Sequence, residues 1–106
     1  MNEFLQHAEH PYVFAGGDNA AVTDPQSGKS VPLLAQIAVQ EGDTIAHNIA
    51  ALLRNAPLQK FTPSFKGAVV PVGGMYAIWK QPSENGIILK GFFVWVARRL
   101  IDLWYA

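Results

Sequence analysis

VPLLAQIAVQEGDTIAHNIAALLR, residues 31–54, is a long stretch with a single periodicity, and its reading decides the fold. Leu34, Ala38, Ile45, Ile49 and Leu53 recur at helical spacing and make one apolar stripe. Gln36, Gln40, Asp43 and His47 stand at i, i+4, i+7 and i+11 and make a second, polar stripe on another face. The spacing predicts a helix over 31–54, with Ser30 as N-cap and Pro32 in the first turn, where a missing N–H does no harm. Gly42 is a soft spot, costing on the order of 1 kcal/mol against alanine, and points to close backbone packing. Asn55-Ala56-Pro57 ends the helix.

Upstream lies YVFAGGDNAAV, residues 12–22. Its first four residues are β-prone, come after His10-Pro11 and stop at Gly16-Gly17, which predicts a short strand over 12–15. DPQSGK, residues 24–29, is turn chemistry. Downstream, strand candidates at 61–65, 68–72 and 75–79 are punctuated by Gly67 and by Gly73-Gly74, the pattern of an antiparallel meander. A polar loop at 82–86 precedes a second helix expected over 87–105, dense in aromatics. The fold class is therefore α+β: a short N-terminal strand, a long helix, a small antiparallel meander and a C-terminal helix. Residues 1–58 and 59–106 form two segments of a single compact unit.

A chain of 106 residues supports one domain and one core. Zero formal net charge and a charged fraction of 15% exclude the basic footprint of a nucleic-acid binder. Half of the residues are apolar, the upper end for a domain of this size, so some apolar surface is expected to be covered by something else. The absence of cysteine removes disulfides, thiolate metal sites and cysteine catalysis together. MNEFLQHAEH at the start is polar and acidic, unlike a secretory signal. His7, His10 and His47 show no metal-ligand spacing and read as surface residues.

Three features carry chemistry. Asp18, after two glycines that let backbone approach a ligand, suits either acceptance of hydrogen bonds from a polyol or a helix cap or Asx-turn. Gln36 and Gln40, one turn apart, offer two amides on one face, or else the solvated side of an amphipathic helix. GFFVWVA, residues 91–97, is too short for the ~20 apolar residues of a membrane span, and Arg98, Arg99 and Asp102 break the apolar character of the residues after it. With Trp95, Trp104 and Tyr105 it suits a helix lying in a lipid headgroup layer, or one packed on its own domain.

FAGGD, residues 14–18, succeeded by AQIAVQ, residues 35–40, resembles the carboxy-terminal part of the two-dinucleotide-fold flavoproteins. More narrowly it resembles type II NADH:quinone oxidoreductases, single-chain NADH dehydrogenases of the pyridine nucleotide-disulfide oxidoreductase superfamily that pump no protons. Ala35, Gln36, Ala38 and Gln40 match every fixed position of the AQxAxQ pattern. NEFLQ (2–6), FTPSFKGAVVPVGGMYAI (61–78) and LKGFFVWVARRLIDL (89–103) resemble, in turn, the lead-in to the GD strand, the strand insert and the terminal helix. The resemblance thus extends over nearly the whole chain.

The resemblance implies a parent enzyme that passes electrons from NADH through FAD to quinone. Gly17 and Asp18 would hold the ribityl chain, and the main chain at Ala35 and Gln36 would meet the flavin. Gln36 and Gln40 would border the quinone. The terminal helix would keep the enzyme peripheral at the cytoplasmic face of the membrane. No GxGxxG turn occurs and no NADH domain fits in this length, so the chain is expected to be an incomplete piece of such a flavoprotein. Such a piece should be inactive alone, hold FAD weakly or not at all, and pair into a homodimer or swapped oligomer through its uncovered faces. Two alternatives stay open: another quinone-reducing flavoprotein such as sulfide:quinone oxidoreductase, which relies on cysteines, and a freestanding membrane-surface or interaction module.

Overall fold

Helix α1 (Ala35–Leu53), strands β1 (Ala68–Gly73), β2 (Tyr76–Lys80) and β3 (Ile88–Gly91) and helix α2 (Phe92–Tyr105) succeed one another in the chain. The computed structural model describes residues 1–81 and 86–105. The chain divides into two compact units, Met1–Ser64 and Phe65–Ala106.

The first unit is one helix wrapped by irregular chain. Its helix starts four residues later than the spacing predicts, because Val31 is still extended: its N–H donates to the Val22 carbonyl at 2.9 Å. Ser30 is correspondingly not a cap but pairs with Thr23 in an isolated bridge, and the residue before α1 is Leu34, extended at φ −129° and without a capping side chain. At the far end Arg54 N–H reaches back to Ala50, and Asn55 turns into the left-handed region at φ 52°. Gly42 is not a close-packing site, since a Cβ there would meet open space.

The buried face of α1 is not the purely apolar stripe. Ile37, Glu41, Asn48 and Ala51 are buried, whereas Ile49 is exposed and Leu53 is 83% exposed. Asn48 explains the rotation. Fully enclosed, it acts as a surrogate peptide group: Nδ2 donates to the carbonyls of Phe4 (3.0 Å) and Gln59 (2.9 Å), and Oδ1 accepts the Gln59 N–H at 2.7 Å. One side chain thereby ties the chain before the helix to the chain after it. Phe61 N–H adds a backbone link to Glu3 at 2.8 Å. Leu5, Ala20, Val22, Val31, Ile37 and Phe61 supply the apolar core around these bonds.

The strand expected at 12–15 does not form. Pro11 has no N–H to donate, and Phe14 makes only an isolated bridge with Gln6, flanked by bonds from His7 N–H to Val13 and from Ala15 N–H to Leu5. The strand expected at 61–65 is absent too. Pro63 interrupts it, and its polar groups go singly to partners in the first unit, Phe61 to Glu3 and Ser64 to Gln40.

The second unit is a three-stranded antiparallel meander in the order β1-β2-β3, with α2 against it. Gly73 pairs with Tyr76, leaving Gly74-Met75 as a two-residue turn, and Gly74 at φ 54° provides the left-handed geometry it needs. Gly67, at φ 93°, abuts Trp79 and Lys80 so closely that a Cβ would lie 2.5 Å from the Lys80 carbonyl oxygen. The Trp79 indole donates to the Lys66 carbonyl beside it at 3.3 Å. The third strand is built from Ile88–Gly91, a stretch expected to be helical. Its residues pair with 77–80, and Gly91, at φ 120°, bends the chain into α2. Ala77 is fully buried, and Arg98 Nη1 fastens α2 to the Val69 carbonyl at 3.2 Å. The polar loop expected at 82–86 lies, apart from Gly86, outside the described residues.

Replacing Asn48 by alanine removes the partner of two part-buried carbonyls and an N–H and should cost about 1–3 kcal/mol, read as a lower urea midpoint. An unchanged midpoint would show that the clamp contributes nothing. In the surface turn at 24–29, the Ser27 hydroxyl (2.7 Å) and then the Gln26 N–H (2.9 Å) bond the Asp24 carboxylate and hold its pKa below the ordinary carboxylate value. The stabilisation is therefore present above the ordinary carboxylate pKa and lost as the pH falls through the lowered one. Ser27→Ala should move the Asp24 titration, monitored by carboxyl NMR, upward toward the ordinary value.

Candidate functional site

Gly16 and Gly17 sit where the first unit's wrapping chain touches α1. A Cβ at Gly16 would stand 3.0 Å from Ile45 Cδ1 and 3.1 Å from Glu41 Cβ, so a larger residue here would press on both helix side chains. Gly17 then takes φ 79°, a left-handed bend that L side chains rarely adopt. Its N–H donates to Glu41 Oε2 at 2.5 Å, and its carbonyl accepts the Ala20 N–H at 3.1 Å, closing a turn. Asp18 lies at the outside of that turn, exposed.

The turn and the start of α1 line one shallow concavity that is open to solvent. Gly17 and Asp18 line it together with Leu34, Ile37, Ala38 and Glu41 of the helix and the residue before it. Residues 16 to 21 positions apart in sequence are thus brought together by the loop at 24–29 folding back on itself. Ala35, Gln36 and Gln40 belong to the same helical turns but are not part of its lining.

Gln40 is held by its own contacts. Its amide donates to the carbonyls of Gln36 (2.9 Å) and Ser64 (2.9 Å), and its Oε1 accepts the Ser64 N–H at 2.9 Å. The second glutamine of the motif therefore secures residue 64 to the polar face of α1, the face on which Gln36 also lies.

The chemistry of the concavity is that of a ligand carrying hydroxyls and negative charge. Asp18 offers an exposed acceptor to hydroxyl groups. The first turn of α1 has neither a capping side chain nor an acidic residue, so the positive end of the helix is not countered there by the chain itself. No metal-binding group of three His, Cys, Asp or Glu occurs among the described residues. The rings of His7 and His10 lie 5.0 Å apart, and His7 Nδ1 accepts the Glu9 N–H.

Glu41 and Asn48 are not singled out by the sequence pattern. Their signal is nonetheless present: two polar residues seven apart in a helix, off the glutamine stripe and on the line of Ile37 and Ala51.

No protein-family model matches the chain. Curated relatives do match, two of them as follows. The alternative NAD(P)H-ubiquinone oxidoreductase C1, chloroplastic/mitochondrial, of Arabidopsis thaliana is 34% identical over 102 residues, which is 96% of this chain and 20% of that protein. The type II NADH:quinone oxidoreductase of Haemophilus influenzae is 37% identical over 86 residues, 81% of this chain and 19% of that protein. The chain spans about a fifth of the length of the relatives it matches. Both are oxidoreductases by name, and over nearly its whole length the chain matches a fragment of an enzyme of the type II NADH:quinone oxidoreductase kind.

Proposed function

We propose that this chain is the part of a flavin-dependent NAD(P)H:quinone oxidoreductase that supplies one wall of the FAD site and borders the quinone. The observation that carries the reading is the concavity that the Gly17-Asp18 turn and the start of α1 line together. It suits one edge of a flavin nucleotide, with Asp18 accepting hydrogen bonds from the hydroxyls of the ribityl chain; the N–H end of α1 at Ala35 and Gln36, outside the concavity, would meet the ring edge where negative charge develops. The chemistry FAD supplies when bound is acceptance of two electrons from NAD(P)H and their release to quinone. The chain's own residues hold and orient. Gly17 brings backbone close, Asp18 fixes the ribityl hydroxyls, and the uncompensated helix end favours the anionic form.

On the glutamine face, Gln36 and Gln40 border the quinone headgroup, and Gln40 also keeps residue 64 against that border. This wall alone, with no GxGxxG turn for the pyrophosphate, leaves the chain by itself without turnover. No helix among the described residues is long and apolar enough to cross a membrane. Instead α2 exposes Phe93, Leu103 and Trp104 and stacks Arg99 over Trp95 at 5.6 Å, which suits a lipid surface from which an apolar quinone is drawn. A second copy of the chain is the other partner for these apolar residues, as a homodimer.

In the full-length enzyme Gln36→Ala should raise the KM for quinone by about tenfold, the loss of one or two hydrogen bonds, and Gln40→Ala should raise it by releasing residue 64 from the border of the site. Stopped-flow reduction of the flavin by NADH should keep its rate. An equal fall in that rate would place these residues on the wrong half of the reaction.

A further inference from the structure

Glu41 is a carboxylate to which the proposed function gives no task. It is 3% exposed, lies in the buried stripe of α1, and lines the same concavity as Asp18. A buried carboxylate is costly unless its oxygens are bonded, so its retention among Ile37, Asn48 and Ala51 calls for a purpose. Its partner is the N–H of Gly17. Three constraints meet on that one bond. Gly16 has no Cβ, which allows the backbone to come within reach of Glu41; Gly17 is left-handed, which turns its N–H inward; and Asp18 comes directly after and is thereby turned outward.

We propose that Glu41 is the positioning residue of the flavin site: it grips the Gly17 N–H and so sets the place of the Asp18 carboxylate without touching the ligand. The inference rests on the reading of the concavity as part of an FAD site. It goes beyond that reading by assigning ligand affinity to a residue on the opposite element, hidden from the ligand. Glutamine at this position keeps an oxygen acceptor for the N–H and should preserve the geometry; leucine fills the space but frees the turn.

The test is a double-mutant cycle in the full-length enzyme, with the dissociation constant of FAD measured by flavin fluorescence on the apoprotein. Asp18→Ala and Glu41→Leu should each weaken FAD by about tenfold or more, the equivalent of losing one charge-assisted hydrogen bond, while Glu41→Gln stays within about threefold of the parent. Because Glu41 acts through Asp18, the double variant should bind FAD no worse than Asp18→Ala alone. Additive losses, or FAD affinity unchanged in Glu41→Leu, would overturn the positioning role while leaving the flavin site standing. Unchanged affinity in Asp18→Ala would instead overturn the flavin site itself. If Glu41→Leu does not fold, Gly16→Ala tests the same bond: it presses on Glu41 Cβ with the carboxylate kept, and it too should weaken FAD, whereas no effect would count against the proposal.

Discussion

The buried amide of Asn48 is the constraint on which the first unit depends. A long helix has nothing in its backbone to offer the chain around it, since its own N–H and C=O groups are used internally. Asn48 offers them from a side chain. Two donors and an acceptor reach segments on both sides of α1, and Glu41, two turns earlier, does the same for the Gly17 turn. The two polar anchors fix the rotation of the helix about its axis. With α1 so turned, Leu34, Ala38 and Ile45 are left half-buried, Ile49 and Leu53 exposed, and the glutamine face is carried to the side where residue 64 lies.

Much of this is legible in the residues and some is not, for identifiable reasons. The existence of α1 comes from its period, and the β1–β2 hairpin from its glycines, because both signals are local. The facing of α1 departs from the pattern because a hydrophobic stripe is normally the buried one, and two hydrogen-bonded polar side chains outweigh it here. The run 87–91 is apolar in a way that suits a strand and a helix equally; pairing with residues 77–80, which no local pattern encodes, decides for a strand. Tyr12 to Ala15 has strand composition without a strand to pair with. At the candidate site, the two glycines and Asp18 stand out in the sequence, but the carboxylate that holds them does not, since Glu41 sits 24 residues from Gly17 and looks like an ordinary helix residue.

The two units differ in character. The first has an enclosed core and a concavity with polar and apolar walls. The second is a thin layer, one small sheet with a helix against it, in which Ala77 is fully buried while Phe93, Leu103 and Trp104 are exposed. Such a layer is what a wall contributes to a larger enclosure. It agrees with a chain that matches about a fifth of each relative's length.

The spacing of the polar contacts along the chain also sets how much loop each of them closes. Phe4 and Asn48 are 44 residues apart, Gly17 and Glu41 are 24, and Gln40 and Ser64 are 24. Each closes a long loop, and none has a neighbouring rung to share the entropy of closure, as successive pairs in a strand ladder would. All three end on α1. The helix, whose contacts are local, is thus the common surface onto which every one of these long loops closes.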